Sequence, residues 1–250
     1  APLAERSDYG SLALALLDPQ PTDTAQAALP GANLVAQLFP VAADGEQGVV
    51  RPEGEKLVGA LARKLALAPG ASATVTFVLA WHFPNLAIKG VPSRGRYYAS
   101  KFASADAVAD YLATHFARLA AQTRLWRDTW YDATLPYWLL DRVHLNTSIL
   151  ASSTCFRFAD GRFWAWEGVG CCAGTCGHVW QYAHSMARLF PDLERGLRER
   201  VDFGLALKAD GAIHFRGENN NIPAIDSQAG TILRALREHQ ASADDAFLKR

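Results

Sequence analysis

Four cysteines in 250 residues, crowded as Cys155, Cys171, Cys172 and Cys176, are too few and too clustered to build a secreted disulfide scaffold. They leave the compartment open, with a lean to the cytoplasm. No apolar run approaches the roughly 20 residues of a membrane-spanning helix. The short run at 12–17 follows Glu5, Arg6 and Asp8, so it lacks the basic start of a signal peptide. Neither sign of charge is in excess: 25 Lys and Arg face 25 Asp and Glu, which leaves no electrostatic footprint for nucleic acid or an anionic membrane. A Gly-rich phosphate loop, a GxSxG elbow and an HExxH helix are all missing, against nucleotide, serine-hydrolase and metalloprotease readings. No internal repeat argues for a solenoid.

What is present suits a soluble protein with a sizeable core: half the residues are hydrophobic and a fifth are charged. Seven tryptophans are compatible with sugar stacking, although most such rings fill cores. The first hundred residues read as β-rich. The apolar run at 12–17 ends in the turn signal Asp18-Pro19, and the β-branched and aromatic run at 73–81 closes at Pro84-Asn85. Between them Pro30, Gly31, Pro40, Gly45, Gly48, Pro52, Gly54, Pro69 and Gly70 punctuate the chain, which predicts an antiparallel sandwich with loops. The stretch 55–65 stands apart, because Leu57, Val58, Leu61 and Leu65 fall near helical spacing and predict a helix.

Composition shifts near Ser100. Ser104 is a candidate N-cap with Asp106 in the first turn, and Val108, Tyr111, Leu112, Phe116 and Leu119 predict a helix to about Trp130. Pro136 suits the first turn of a second helix. At 156–166 aromatic-rich strands flank Asp160-Gly161, a two-residue hairpin signal that delivers Trp166-Glu167-Gly168 to a loop. Helical spacing resumes with Val179, Tyr182, Ala183, Met186 and Phe190, and again after Pro191 to about Leu207. A Gly/Asn-rich loop at 210–223 leads to Asp226, read as the cap of a last helix through Leu236. Helices joined alternately by short turns and longer loops are the pattern of a helical-hairpin toroid, with sites expected on the long-loop rim. Ala1 reads straight into an element and Lys249-Arg250 stops as one begins, so both ends are expected to be cuts in a longer parent.

Glu167 is the leading candidate for chemistry. A carboxylate at a strand end, beside tryptophan and before Gly168-Val169-Gly170, can face an anomeric carbon. Retaining glycoside hydrolysis needs such a group plus a second acid about 5 Å away; the bland alternative is an exposed hairpin glutamate. Cys171, Cys172, Cys176 and His178 place soft ligands within eight residues. Their spacing matches no standard zinc site, and free thiols or a vicinal disulfide are simpler readings. His214, before the Asn-rich loop, is either a donor to a sugar hydroxyl or a satisfied loop histidine. Asp226 reads as a cap; His144, His184 and His239 read as structural or solvent-facing, and Asp132 and Asp160 as turn residues.

These residues together resemble glycoside hydrolase family 116, of bacterial β-glucosidases and non-lysosomal glucosylceramidases. The resemblance rests on Ala80-Trp81-His82-Phe83-Pro84-Asn85, on Tyr131-Asp132-Ala-Thr-Leu135-Pro136-Tyr-Trp138, on Asp160-Gly161-Arg-Phe163-Trp-Ala-Trp166-Glu167-Gly168, on Ala212-Ile213-His214-Phe215-Arg216-Gly217, and on the helix from Asp226 towards Lys249. It implies the C-terminal part of an N-terminal β-sandwich at 1–100, followed by the first half of an (α/α)6 toroid at 101–250. It also implies Glu167 as nucleophile and His214 as a sugar contact; His178 and Trp166 are further expected substrate-binding residues. Where the family has an aspartate in a Tyr-Asp-Val context, this chain has Gly177-His178-Val179, and the Cys-Cys-Ala-Gly-Thr-Cys stretch replaces a polar loop. Sugar identity therefore does not carry over. The general acid, an aspartate in the family, is expected beyond Arg250. No cofactor is required, the expected partner is a small carbohydrate or glycoside, and oligomeric state stays open. The rival expectations are a carbohydrate-binding toroid without catalysis, and a metal site at Cys171, Cys172, Cys176 and His178.

Overall fold

The computed structural model describes residues 2–28, 48–52, 54, 55, 57–182, 186 and 189–249. Pro30, Gly31, Pro40, Gly45, Ala183 and His184, singled out above, lie outside the described residues. The chain is mixed β and α and divides into two compact units.

One unit comprises residues 10–83 and 102–121. Strand β1 (Ser11–Leu16) pairs antiparallel with β4 (Phe77–His82), from Ser11 opposite His82 to Leu16 opposite Phe77. The expected strands at 12–17 and 73–81 are thus real and lie side by side. In β4 the two-residue period of a pleated strand buries Val78, Ala80 and His82 and exposes Phe77, Leu79 and Trp81. A second ribbon joins β2 (Thr24–Gln26) to β3 (Ala60–Ala62). The helix expected at 55–65 is therefore wrong: its described core is a strand. Arg63, just past β3, explains why. Its Nε and Nη2 donate to the two carboxylate oxygens of Asp23 at 2.8 and 2.7 Å, and Nη2 also reaches the Asp18 carbonyl at 2.7 Å. This bidentate clamp fixes β3 beside β2, and pairing overrides a helical spacing that four apolar residues satisfy by chance.

Helix α1 (Ala105–Tyr131) starts as expected, since the Ala107 N–H donates to Ser104 Oγ at 3.2 Å and Asp106 sits in the first turn. Its residues to 121 belong to this unit and the remainder to the other.

The second unit comprises residues 1–9, 84–101 and 122–250. Helix α2 (Tyr137–His144) begins directly after Pro136, whose carbonyl accepts the Leu140 N–H at 3.1 Å. A short 3-10 turn (Leu145–Ala151) leads into the hairpin of β5 (Cys155–Arg157) and β6 (Phe163–Ala165). The connection is longer than the two-residue turn expected. Phe158 and Arg162 close it around Ala159, Asp160 and Gly161, with the Gly161 N–H bonded to the Phe158 carbonyl at 2.8 Å. Gly161 takes φ +85°, the left-handed residue that a three-residue hairpin loop requires. Asp160 is spoken for by its loop, accepting from the Arg162 N–H at 3.1 Å, from Ser93 Oγ at 2.8 Å and from Arg200.

β6 is buried on both faces, and its alternation sorts two cores. Phe163 and Ala165 pack with Cys176, Trp180, Met186, Leu197 and Val201, whereas Trp164 packs with Leu86, Val91 and Phe158. Phe163 meets Trp180 edge-on at 5.5 Å, and Trp164 meets Trp166 edge-on at 4.8 Å.

Helix α3 (Gly177–Tyr182), helix α4 (Pro191–Leu197) continuing as a π-helical stretch (Arg198–Ala206), and helix α5 (Ile225–Gln240) complete the described unit. Asp226 is not the N-cap, which is Ala224; it lies in the first turn and accepts the Ser227 N–H at 2.9 Å. α5 also runs beyond Leu236 to Gln240. α3 packs on α5 through Gly177, where an added Cβ would sit 1.8 Å from Ser227 Oγ, so no other residue fits there unshifted.

Candidate active site

Glu167 leaves the end of β6 into a tight loop. Cys171 closes the loop by donating its N–H to the Gly168 carbonyl at 2.8 Å, and the Glu167 N–H points at the Cys172 carbonyl at 3.4 Å. The strand therefore positions the carboxylate from one side and the Cys171–Cys172 turn from the other. Arg216 Nη2 donates to Glu167 Oε1 at 2.7 Å, and both side chains are largely shielded from solvent. Hydrogen bonding from the Cys176 thiol, then from Cys172, and the charge of Arg216 hold the Glu167 carboxyl below its usual range, against the opposing effect of burial. The donors respond in kind. Burial, and then Glu167, raise the Cys176 thiol, while contacts with Cys171 and Glu167 push Cys172 up to about 11. Glu167 is thus an ionised carboxylate fed by one cation and two thiols.

Arg216 is the residue sequence reasoning passed over. It stands in Ala212-Ile213-His214-Phe215-Arg216-Gly217, two places after the histidine to which the sugar contact was assigned. A cation in a motif already expected to contact the sugar was the available signal. Among the described residues no hydrogen bond joins the His214 side chain to Glu167. Its backbone N–H bonds the Ala206 carbonyl at 3.1 Å, and its buried Nδ1 has no partner among the described residues. Arg216 Nη1 is also buried and has no partner among the described residues.

His178 stacks at a tilt on Phe215, with ring centres 4.5 Å apart, and its Nε2 lies 3.4 Å from Asp226 Oδ1. The Gly177 N–H donates to the Phe215 carbonyl at 2.7 Å, which fixes the start of α3 against the segment that carries Arg216. Trp166, half-buried beside Glu167, is pinned by its N–H to the Thr154 carbonyl at 2.9 Å.

The ligand set Cys171, Cys172, Cys176 and His178 is not assembled as a metal centre. His178 faces Asp226, Cys171 and Cys172 face each other, and Cys176 is buried against Glu167. Among the described residues no group of three or more His, Cys, Asp or Glu side chains is arranged to hold an ion. Two cavities, of about 720 and 190 Å³, are lined by other residues, chiefly of the π-helical stretch with α5 and of the hairpin with α4. No described helix is long and apolar enough to cross a membrane.

Residues 33–119 match the family model described as beta-glucosidase 2, glycosyl-hydrolase family 116 N-term. Glu167, His178, His214 and Arg216 lie C-terminal to the matched stretch. No curated protein matches, and no solved structure matches. Through the stretch at 33–119, less than half of its length, the chain is similar to glycosyl-hydrolase family 116.

Proposed function

We propose that this chain carries the nucleophile of a retaining β-glycosidase of β-glucosidase or glucosylceramidase type, and that the nucleophile is Glu167. The observation that carries the reading is the Arg216–Glu167 ion pair at 2.7 Å, reinforced by thiol hydrogen bonds that keep the carboxyl ionised. In the first step the carboxylate attacks the anomeric carbon and forms a glycosyl ester as the aglycone leaves. In the second, water displaces the carboxylate. Donors on Glu167 weaken it slightly as a nucleophile but stabilise it as the leaving group of this step.

His214 Nδ1 and Arg216 Nη1, both buried without partners among the described residues, are sites that glycone hydroxyls can satisfy. His178, stacked on Phe215, contributes a further polar edge, and Trp166 offers a ring face. Residues 1–100 as a β-sandwich and 101–250 as part of an (α/α)6 toroid remain our proposed domain frame, with a carbohydrate or glycoside as partner.

The test is chemical rescue. Glu167→Gly with a dinitrophenyl β-glucoside and azide should release an α-glucosyl azide, because azide occupies the vacated nucleophile position and the aryl group departs without proton assistance. Wild-type protein should show no such product. A folded Glu167→Gly that binds the glucoside yet yields no azide adduct would point instead to a binding module.

A further inference from the structure

The loop that holds Glu167 carries a second chemistry that glycoside cleavage does not use. Cys171 Sγ and Cys172 Sγ lie 3.1 Å apart, close enough for one thiol to donate to the other, and both residues are exposed. A disulfide bond is about 2.05 Å long, so closure requires the sulfurs to approach by about 1 Å. The backbone favours this meeting. Cys172 adopts φ +60°, a left-handed conformation unusual for a side-chain-bearing residue, and the Gly168–Cys171 turn holds the pair at the loop's tip. The other two cysteines are shielded: Cys176 is fully buried, and burial pushes the Cys155 thiol up to about 12. An oxidant in solution therefore meets the adjacent pair first.

We propose that Cys171 and Cys172 form a reversible vicinal disulfide when exposed to a peroxide, and that closing it withdraws a thiol donor from Glu167. In the first half-reaction the Cys171 sulfur attacks a peroxide oxygen. The O–O bond breaks, Cys171 becomes a sulfenic acid, and the thiol proton leaves with the departing oxygen as water. Next the Cys172 sulfur attacks the sulfenic sulfur. The S–O bond breaks, and the hydroxyl takes the Cys172 proton as a second water. Two thiols are oxidised by two electrons, and one peroxide is reduced. The resulting bond joins neighbours in sequence at an exposed turn, so it should be strained and easily reduced by a dithiol. The disulfide has no S–H to offer the carboxylate, so Glu167 should become harder to ionise. This chemistry does not depend on Glu167 being a nucleophile.

The experiment treats the purified chain with hydrogen peroxide, then unfolds and alkylates it. Alkylatable thiols should fall from four to two, with a loss of two hydrogens confined to the peptide containing Cys171 and Cys172, and dithiothreitol should restore all four. Cys171→Ser and Cys172→Ser should each abolish the loss, while Cys155→Ser should not. In parallel, carbon-13 NMR of the Glu167 carboxyl should show its titration midpoint moving upward on oxidation and returning on reduction. Four thiols after treatment, a bond mapped to another pair, or direct passage to sulfinic acid would overturn the proposal. So would a vicinal disulfide that leaves the Glu167 titration unmoved.

Discussion

Glu167 sits where a hairpin strand gives out, and the groups that hold its charge come from the following loop and from Arg216, 49 residues further on. The Arg216 bond at 2.7 Å and the Cys176 and Cys172 thiols all favour its charged form. Because the folded carboxyl titrates below its ordinary range, it should remain ionised as pH falls through that range. Reaction with an activated glycoside should therefore persist into mild acid and fail only below the lowered midpoint. Arg216→Met removes the cation while keeping an apolar stem. It should move that acid limb upward and slow the reaction by on the order of 10-fold at neutral pH, in line with the worth of a charged hydrogen bond. A rate–pH profile of both proteins checks this; superimposable profiles would remove Arg216 from the site. At this scale the sequence was half legible. Trp166-Glu167-Gly168 announced itself through local hairpin chemistry. Arg216 and the thiol donors did not, because contacts between loops leave no periodicity to read.

Among the elements, hairpin and helices follow from local signals, whereas the ionic wiring between α4, the π-helical stretch and α5 does not. Arg198, fully buried, contacts Glu194 at 3.1 Å and Asp202 at 2.7 Å, while Arg234 reaches Asp202 at 3.3 Å and Arg237 reaches Glu194 at 3.0 Å. On a helical wheel these residues look like solvent-facing charges; only packing reveals that they are enclosed. Arg198→Ala leaves two buried carboxylates short of their shared cation and should cost about 3–5 kcal/mol, seen as a large drop in melting temperature. Arg198→Met should cost less than this if the cost lies in stranded charge rather than lost volume. The Arg63–Asp23 clamp makes a prediction of opposite visibility, at the surface ribbon of β2 and β3. Hydrogen bonding by Arg63 lowers Asp23 from 3.8 to about 2. A depressed acid stabilises the fold above its unfolded value and loses that contribution as pH falls through the folded one. The ribbon should therefore hold at pH 4 and loosen toward pH 2, whereas Arg63→Met should shift the loosening upward. Amide exchange at 60–62 measures it. The misread helix at 55–65 belongs here too, since strand pairing and this clamp decide the conformation and neither is local.

For the whole molecule, the mixed β and α composition was legible from the change in pattern near Ser100, and of the motifs that carry the family resemblance, the one at Ala80 to Asn85 lies inside the matched stretch. The matched stretch at 33–119 falls in the part read as β-rich and runs on into α1, while the residues proposed for catalysis lie beyond it. The balanced charge offers no long-range steering for polyanions. The family-model match and the geometry around Glu167 are separate lines, and the proposal that joins them is that Glu167 becomes covalently glycosylated. The most direct measurement is intact and peptide mass spectrometry after treatment with a 2-fluoro β-glucoside bearing a dinitrophenyl leaving group. The account predicts one sugar per chain, mapped to the peptide containing Glu167 and absent from Glu167→Gln. A folded protein that binds the probe but carries no adduct, or carries it on another carboxylate, would contradict it.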